Sequence, residues 1–360
     1  MSSSVGLRVL VDGNVPPSAG LSSSSAMVCC SAIVTLWANA FASSAPASVR
    51  DPSGKDVDRK WLADVCRVSE RYIGTQGGGM DQAICMLASA GTAKRVDFEP
   101  LNVVDVKLPA DCVFVITNSC VKANKAAFAD FNVRVVECRL AARMLARYLG
   151  LESWMEVIKL RHVQEASRKT FDEMLNLVGT VFRKEYYEKS EIMRFLDFES
   201  EASFDESCLT ANTRHVTQFA LRQRATHVYS EAARVFQFQS ICDQVSSAGG
   251  DGGHLTHLGD LMDASHASCR DLYQCSCADL DALVAICRRA TASHLGGALC
   301  FGSRLTGAGW GGCCVSLVRA EGVADFVDVV KRDYYQARGL DSTNAVIVSA
   351  PSAGAAVFKA

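Results

Sequence analysis

Pro16-Pro17-Ser18-Ala19-Gly20-Leu21-Ser22-Ser23-Ser24-Ser25-Ala26 is the stretch on which the fold turns. It stands between a predicted strand over residues 6–12 and an apolar run over residues 26–42 that predicts a helix from 22 to 42. Strand, glycine–serine turn and buried helix together make an anion cradle. Backbone N–H groups in a helix's first turn lack intrahelical partners, and the macrodipole adds partial positive charge there. Glycine allows close approach to the backbone, and serine hydroxyls add donors and a hard oxygen for Mg²⁺. A serine-capped helix, or a low-complexity turn like Ser2–Ser4, fits the same letters.

Two further segments have the same character. Gly77-Gly78-Gly79-Met80-Asp81-Gln82 runs straight into an apolar-periodic helix predicted over 80–90, with Gly91 at its end. Leu305-Thr306-Gly307-Ala308-Gly309-Trp310-Gly311-Gly312-Cys313 enters a predicted strand over 313–318. Further strands are expected over 92–98, 112–118 and 344–349. Further helices are expected over 61–72, 132–149, 216–236 and 280–291, the first carrying Trp61, Leu62, Val65, Cys66, Val68 and Tyr72 as its apolar stripe. Residues 43–56 and 246–253 read as surface loops, and 294–302 as a loop insertion. Mixed strands and helices make the fold class α+β.

Composition narrows the function. The chain has 360 residues, 49% apolar and 21% charged, with a formal net charge of −2. That balance gives no electrostatic footprint for nucleic acid or an anionic membrane, so a phosphate must be met by local donors. The uncharged stretch 15–49 holds a run near the lower limit for spanning a bilayer, but it begins with the phosphate-type turn and contains Asn39, which favours a core helix. No basic leader precedes it, and a cytoplasmic location is expected. Sixteen cysteines, scattered through apolar patterns, favour free buried thiols over a disulfide framework. Cys275-x-Cys277 and His254-x-x-His257 lack a second pair at zinc spacing. There is no nucleophile elbow, no Walker-type loop, no dinucleotide fingerprint and no protein-kinase catalytic loop.

The three glycine segments together resemble the GHMP kinases, the small-molecule kinases named after galactokinase, homoserine, mevalonate and phosphomevalonate kinases. The galactokinase/N-acetylgalactosamine kinase branch is further resembled by Asp12-Gly13-Asn14-Val15-Pro16-Pro17, Ser69-Glu70-Arg71-Tyr72-Ile73-Gly74-Thr75, Asp105-Val106-Lys107-Leu108-Pro109, and the stretches NVRVVECRLAA (132–142), HVYSEAAR (227–234) and SCRDLYQCSC (268–277), with Ser303-Arg304. The resemblance runs in order from about residue 5 to about 336. It implies an incomplete ribosomal-S5-like N-terminal domain over 1–121 and a ferredoxin-like C-terminal domain over 122–360, with the active site between them. The branch's signature of the type Gly-Arg-x-Asn-x-x-Gly-Glu-His-x-Asp-Tyr is not in this chain, and roughly the first quarter of a complete kinase is expected to be missing.

The resemblance implies ATP-dependent phosphorylation of the C1 hydroxyl of galactose or N-acetylgalactosamine by a monomer, with ATP and Mg²⁺ as cofactors and neither nucleic acid nor membrane as partner. Gly20, Leu21, Ser22, Ser23, Ser24 and Ser25, with Gly307 and Gly309, would hold the ATP phosphates, and Ser24 would face Mg²⁺. Asp81 would be catalytic, taking or orienting the proton of the sugar hydroxyl; an N-cap is its alternative role. Gly78, Asp81 and Phe131 would line the sugar, with core packing as the alternative role of Phe131. Trp310 is expected in the core, and Arg134, Glu137 and Arg139 on a solvated or bridging helix face. A catalytically impaired sugar- or nucleotide-binding regulator, or an inactive fragment with exposed strand edges, are the alternatives.

Overall fold

The apolar run after the serine turn forms a helix, α1 (Ser23–Phe41), whose buried positions Ser25, Cys29 and Ile33 recur every four residues and make one stripe. The computed structural model describes residues 6–16, 20–41, 57–73, 77–122, 129–248 and 253–358. The loop expected over 43–56 lies outside the described residues. The chain continues through α2 (Arg59–Glu70), α3 (Met80–Leu87), β1 (Ala93–Phe98), β2 (Leu101–Val106), β3 (Cys112–Asn118) and α4 (Ala129–Tyr148). Then come α5 (Leu160–Ser167), α6 (Phe171–Val181), β4 (Tyr187–Glu188), α7 (Lys189–Leu196), α8 (Glu201–Cys208), β5 (Gln218–Phe219), α9 (Leu221–Ala248) and α10 (His254–Ala267). The last elements are α11 (Ala278–Arg289), β6 (Thr291–Ala292), β7 (Gly297–Ala298), β8 (Cys300–Leu305), β9 (Cys313–Arg319), α12 (Val323–Val330) and β10 (Val346–Ser349). The architecture is α+β.

An antiparallel sheet in the order β10-β3-β9-β8 anchors the later half. Alternation along β9 sends Cys314 and Val318 into a core with α11, α12, Tyr334 and Tyr335. Val315 and Leu317 face a second core with Leu255, Leu258 and Met262 of α10 and Cys242 of α9. Residues of α4 to α9, with Phe219 of β5, close a third, mainly helical core. A fourth joins α1, α2 and α3 through Cys29, Ile33, Leu62, Cys66 and Met86. β3 ends at Asn118 yet pairs with both β9 and β10, so the later sheet takes an inner strand from before residue 121.

Several sequence expectations need correction. The stretch 6–12 forms no strand: no described strand pairs with it, and Leu10 is 97% exposed. Apolar alternation alone does not make a strand when no neighbour meets its backbone groups. On α2 only Leu62, Ala63 and Cys66 are buried, whereas Trp61, Val65, Val68 and Tyr72 face outward. α3 stops at Leu87 because Ser89 bridges to Thr92. The expected loop 294–302 holds β7, which pairs with β6, and the start of β8. α9 begins late, since Gln218 and Phe219 pair with β4, and it runs on through Ala248 into the expected loop. Glu137 is not solvated: it is 3% exposed and bridges to Arg224. Other helices and strands lie within a few residues of expectation, and all sixteen cysteines are free, most of them buried.

Candidate active site

Gly20 and Ser22 both take left-handed backbone at the head of α1, with φ of 71° and 59°. That turn directs the first amides of α1 outward, where an anion is favoured. Ser24 is exposed, while Ser25 is 3% exposed and points inward. Pro17, Ser18 and Ala19 lie outside the described residues.

Inward-pointing Ser25 ties three helices together. Its Oγ donates to Glu70 Oε2 at 2.6 Å, at the end of α2. Gln82 Nε2, on α3, donates to Ser25 Oγ at 3.2 Å and also to Glu70 Oε2. Asp81 is the neighbour of that glutamine, in the first turn of α3, half-buried. The N-terminal dipole of α3 favours its carboxylate as an anion. Gly79 caps the helix in left-handed backbone, and the Arg67 stem lies across it, held by Asp64 at 2.8 and 2.6 Å. The other end of α3 is held by the chain's C-terminal residues. Ala355 N donates to Cys85 O at 2.7 Å, Gly354 N to Ala88 O at 3.0 Å, and Arg59 Nη1 bridges Met86 O and Ala355 O.

The glycine turn between β8 and β9 packs onto the first one. A methyl group at Gly307 would sit 2.8 Å from Gly20 O, and one at Gly20 would sit 3.3 Å from Thr306 O. Both backbones meet here without side chains between them. At Gly309, with φ of 88°, a methyl group would fall 1.9 Å from Cys275 O, the carbonyl that accepts from Trp310 N at 2.6 Å. Gly312 completes the seat, donating to Val121 O at 2.9 Å and accepting from Ser119 N at 2.8 Å. Trp310 packs against the core of α11 and β9. Burial pushes the Cys313 thiol at the start of β9 up to about 12, so it stays neutral.

The structure thus brings together Gly20, Ser22, Ser23, Ser25 and Gly307, and connects them through Glu70 and Gln82 to the helix of Asp81. Gly78 is exposed, and a methyl group there would meet nothing within 4 Å. Phe131 is half-buried in the first turns of α4. Sequence reasoning passed over Glu70 and Gln82 as site residues. Glu70 was visible in Ser69-Glu70-Arg71, but only the fold shows that its carboxylate reaches the serine turn.

The exposed Ser24 hydroxyl and the Glu70 carboxylate, which accepts from Ser25 at the head of α1, are hard oxygen donors of the kind Mg²⁺ takes. Among the described residues there is no cluster of three or more His, Cys, Asp or Glu that could hold a metal alone.

Comparison with known proteins decides the family. The model of the GHMP kinases N terminal domain matches residues 1–89, and that of the GHMP kinases C terminal domain matches 251–336. Galactokinase of Saccharomyces cerevisiae is 30% identical over 396 residues, covering 98% of this chain and 71% of that protein. The chain belongs to the galactokinase family of GHMP kinases. Galactokinase of Dictyostelium discoideum is 39% identical over 347 residues, and the match takes in 91% of this chain but 64% of that relative's length. The fold is also that of the crystal structure of Lactococcus lactis galactokinase complexed with galactose, with a TM-score of 0.64 at 23% identity over 95% of this chain and 68% of that one. Among the described residues no helix is long and apolar enough to cross a membrane.

Proposed function

We propose that this galactokinase-family chain transfers the γ-phosphoryl group of ATP to the C1 hydroxyl of galactose or N-acetylgalactosamine, giving the sugar 1-phosphate and ADP. Phosphoryl transfer asks for held phosphates, neutralised charge and an aligned acceptor. The observation that carries the reading is the contact of Gly307 with Gly20, which lays one glycine turn over the other at the head of α1. Backbone amides, serine hydroxyls and the helix terminus are then presented to an anion.

Asp81 accepts or orients the proton of the sugar hydroxyl, while Gly78 and Phe131 lie on the sugar side. Gly20, Leu21, Ser22, Ser23 and Gly309 hold the β- and γ-phosphates. Ser24 and Glu70 would hold Mg²⁺, which when bound neutralises phosphate charge. Ser25 and Gln82 hold the Glu70 carboxylate at the head of α1. The two family relatives compared are named galactokinases, and the Lactococcus lactis structure contains galactose; these support a galactose-type acceptor.

ADP release in the presence of Mg·ATP and each sugar tests this reading. Release that depends on galactose or N-acetylgalactosamine supports it. Tight ATP binding with no sugar-dependent release would replace it with a binding role.

A further inference from the structure

The glycine turn 306–312 is seated on a carbonyl, Cys275 O, and the three carbonyls that precede it in the chain are held by buried charge. Glu137, on α4, is 3% exposed. Its Oε1 accepts from Ala220 N at 2.7 Å, and its Oε2 accepts from Arg224 Nε at 2.6 Å and Arg134 Nη1 at 3.4 Å. The two arginines then take the end of the π-helical turn Ser268–Tyr273. Arg224 Nη1 donates to Leu272 O, Arg134 Nε to Tyr273 O at 2.8 Å, and Arg134 Nη2 to Gln274 O at 3.4 Å. Arg224 Nη2 also donates to the side chain of Gln274, Oε1, at 2.8 Å. Gln274 has a φ of 55° and turns the chain into Cys275. Three consecutive carbonyls at a helix end, which would otherwise lack partners, are held by two guanidinium groups sharing one carboxylate.

Stability alone does not account for this arrangement. A buried ion pair is often matched or exceeded by well-packed apolar side chains of the same volume. What charge supplies here is direction, since the fork of each guanidinium fixes carbonyls at set angles. The next carbonyl in line is the one that accepts from Trp310 N at 2.6 Å and leaves room only for glycine at 309.

We infer that Glu137, Arg134 and Arg224 are positioning residues that set where the glycine turn 306–312 lies against the first turn, and so how tightly nucleotide phosphates are held. The second half of that statement rests on the nucleotide reading of the two turns. None of the three touches the turn itself; they act through residues 272–275.

Hydrogen exchange of the ligand-free chain tests the first half directly. Glu137→Gln keeps the shape and removes the charge. Gln274→Asn keeps the left-handed position, which asparagine tolerates, and draws the amide back from Arg224. In both variants the amides of 305–313 should exchange about tenfold faster than in the parent. ATP affinity by calorimetry should fall by a similar factor. Arg143→Met is the control. Arg143 is a buried arginine of the same helix α4, but it bonds Val157 O and Ser207 O. It should cost stability while leaving 305–313 and ATP affinity as in the parent. Parental exchange of 305–313 in both Glu137→Gln and Gln274→Asn overturns the inference, as does equal acceleration in Arg143→Met. If exchange shifts as expected but the parent chain binds no ATP, the positioning stands and the nucleotide reading of the turns falls.

Discussion

Adding one methyl group at Gly309 should damage nucleotide handling far more than it damages the fold. Gly309→Ala would place a carbon 1.9 Å from Cys275 O, and real contacts of this kind are not seen below 3.0 Å, so the turn must retreat by at least 1.1 Å. Left-handed backbone costs alanine about 1–2 kcal/mol. Losing the Trp310 N–Cys275 O hydrogen bond adds about 1 kcal/mol, for a total destabilisation of about 2–3 kcal/mol. Displacing a phosphate-holding group by 1 Å costs on the order of a hundredfold in function. Two glycines calibrate the effect. Gly307→Ala starts from 2.8 Å and needs a smaller retreat, so its loss should be milder. Gly150→Ala has a φ of 71° with nothing within 4 Å, so it carries the backbone cost alone. Urea melts would read stability and calorimetry would read ATP affinity, with the order 309, then 307, then 150 expected in the latter. Parental ATP affinity in Gly309→Ala, in a protein destabilised like Gly150→Ala, would refute the claim that this turn approaches the phosphates.

Other outcomes follow from the same geometry. Ser24→Ala and Glu70→Gln should each weaken Mg·ATP use by tenfold or more while leaving sugar affinity nearly unchanged, read by separate titrations; equal loss of both ligands would remove the metal role. Acid should unfold the protein partly through His227, which burial pushes down to about 4, in contact with Ser268 and stacked on Tyr273. Between pH 6.5 and 4 the unfolded chain takes up a proton that the folded one refuses, so stability falls by up to about 3 kcal/mol as pH drops through that window. His266 shifts in the same direction, and urea melts of His227→Gln should show a shallower acid slope. Removing residues 351–360 should free the end of α3 from Gly354 and Ala355 and leave Arg59 to hold Met86 O alone, lowering the melting temperature and accelerating exchange in 80–88, whereas unchanged exchange there would show that the tail does not secure the helix.

The sequence announced its glycine turns better than it announced which elements pack against which. Glycine and serine at turns carry their own signal, because few residues take left-handed backbone or leave room for a second chain, and Gly20, Gly307 and Gly309 are used in that way. Helices with strong patterns were also legible, α1 and α4 among them. Partnership was not. The stretch 6–12 has the letters of a strand but no described neighbour, and half the apolar residues of α2 face outward, because burial depends on what lies opposite. Short helices such as α7 and α8, of eight residues each, gave too few periods to read. Glu137 was read as a possible surface charge because nothing local distinguishes a solvated glutamate from one facing Arg224 across 87 positions. Glu70 escaped for the same reason, since its serine lies 45 positions away.

The most direct test of the account is a ³¹P NMR time course of the chain with Mg·ATP and galactose, run beside Asp81→Asn. A sugar 1-phosphate signal should grow with the parent chain and be absent with the variant, which should remain folded and still bind ATP. The same signal growing at the parental rate with Asp81→Asn, or none growing with the parent chain while it binds both ligands, would contradict a transfer reaction centred on the head of α3.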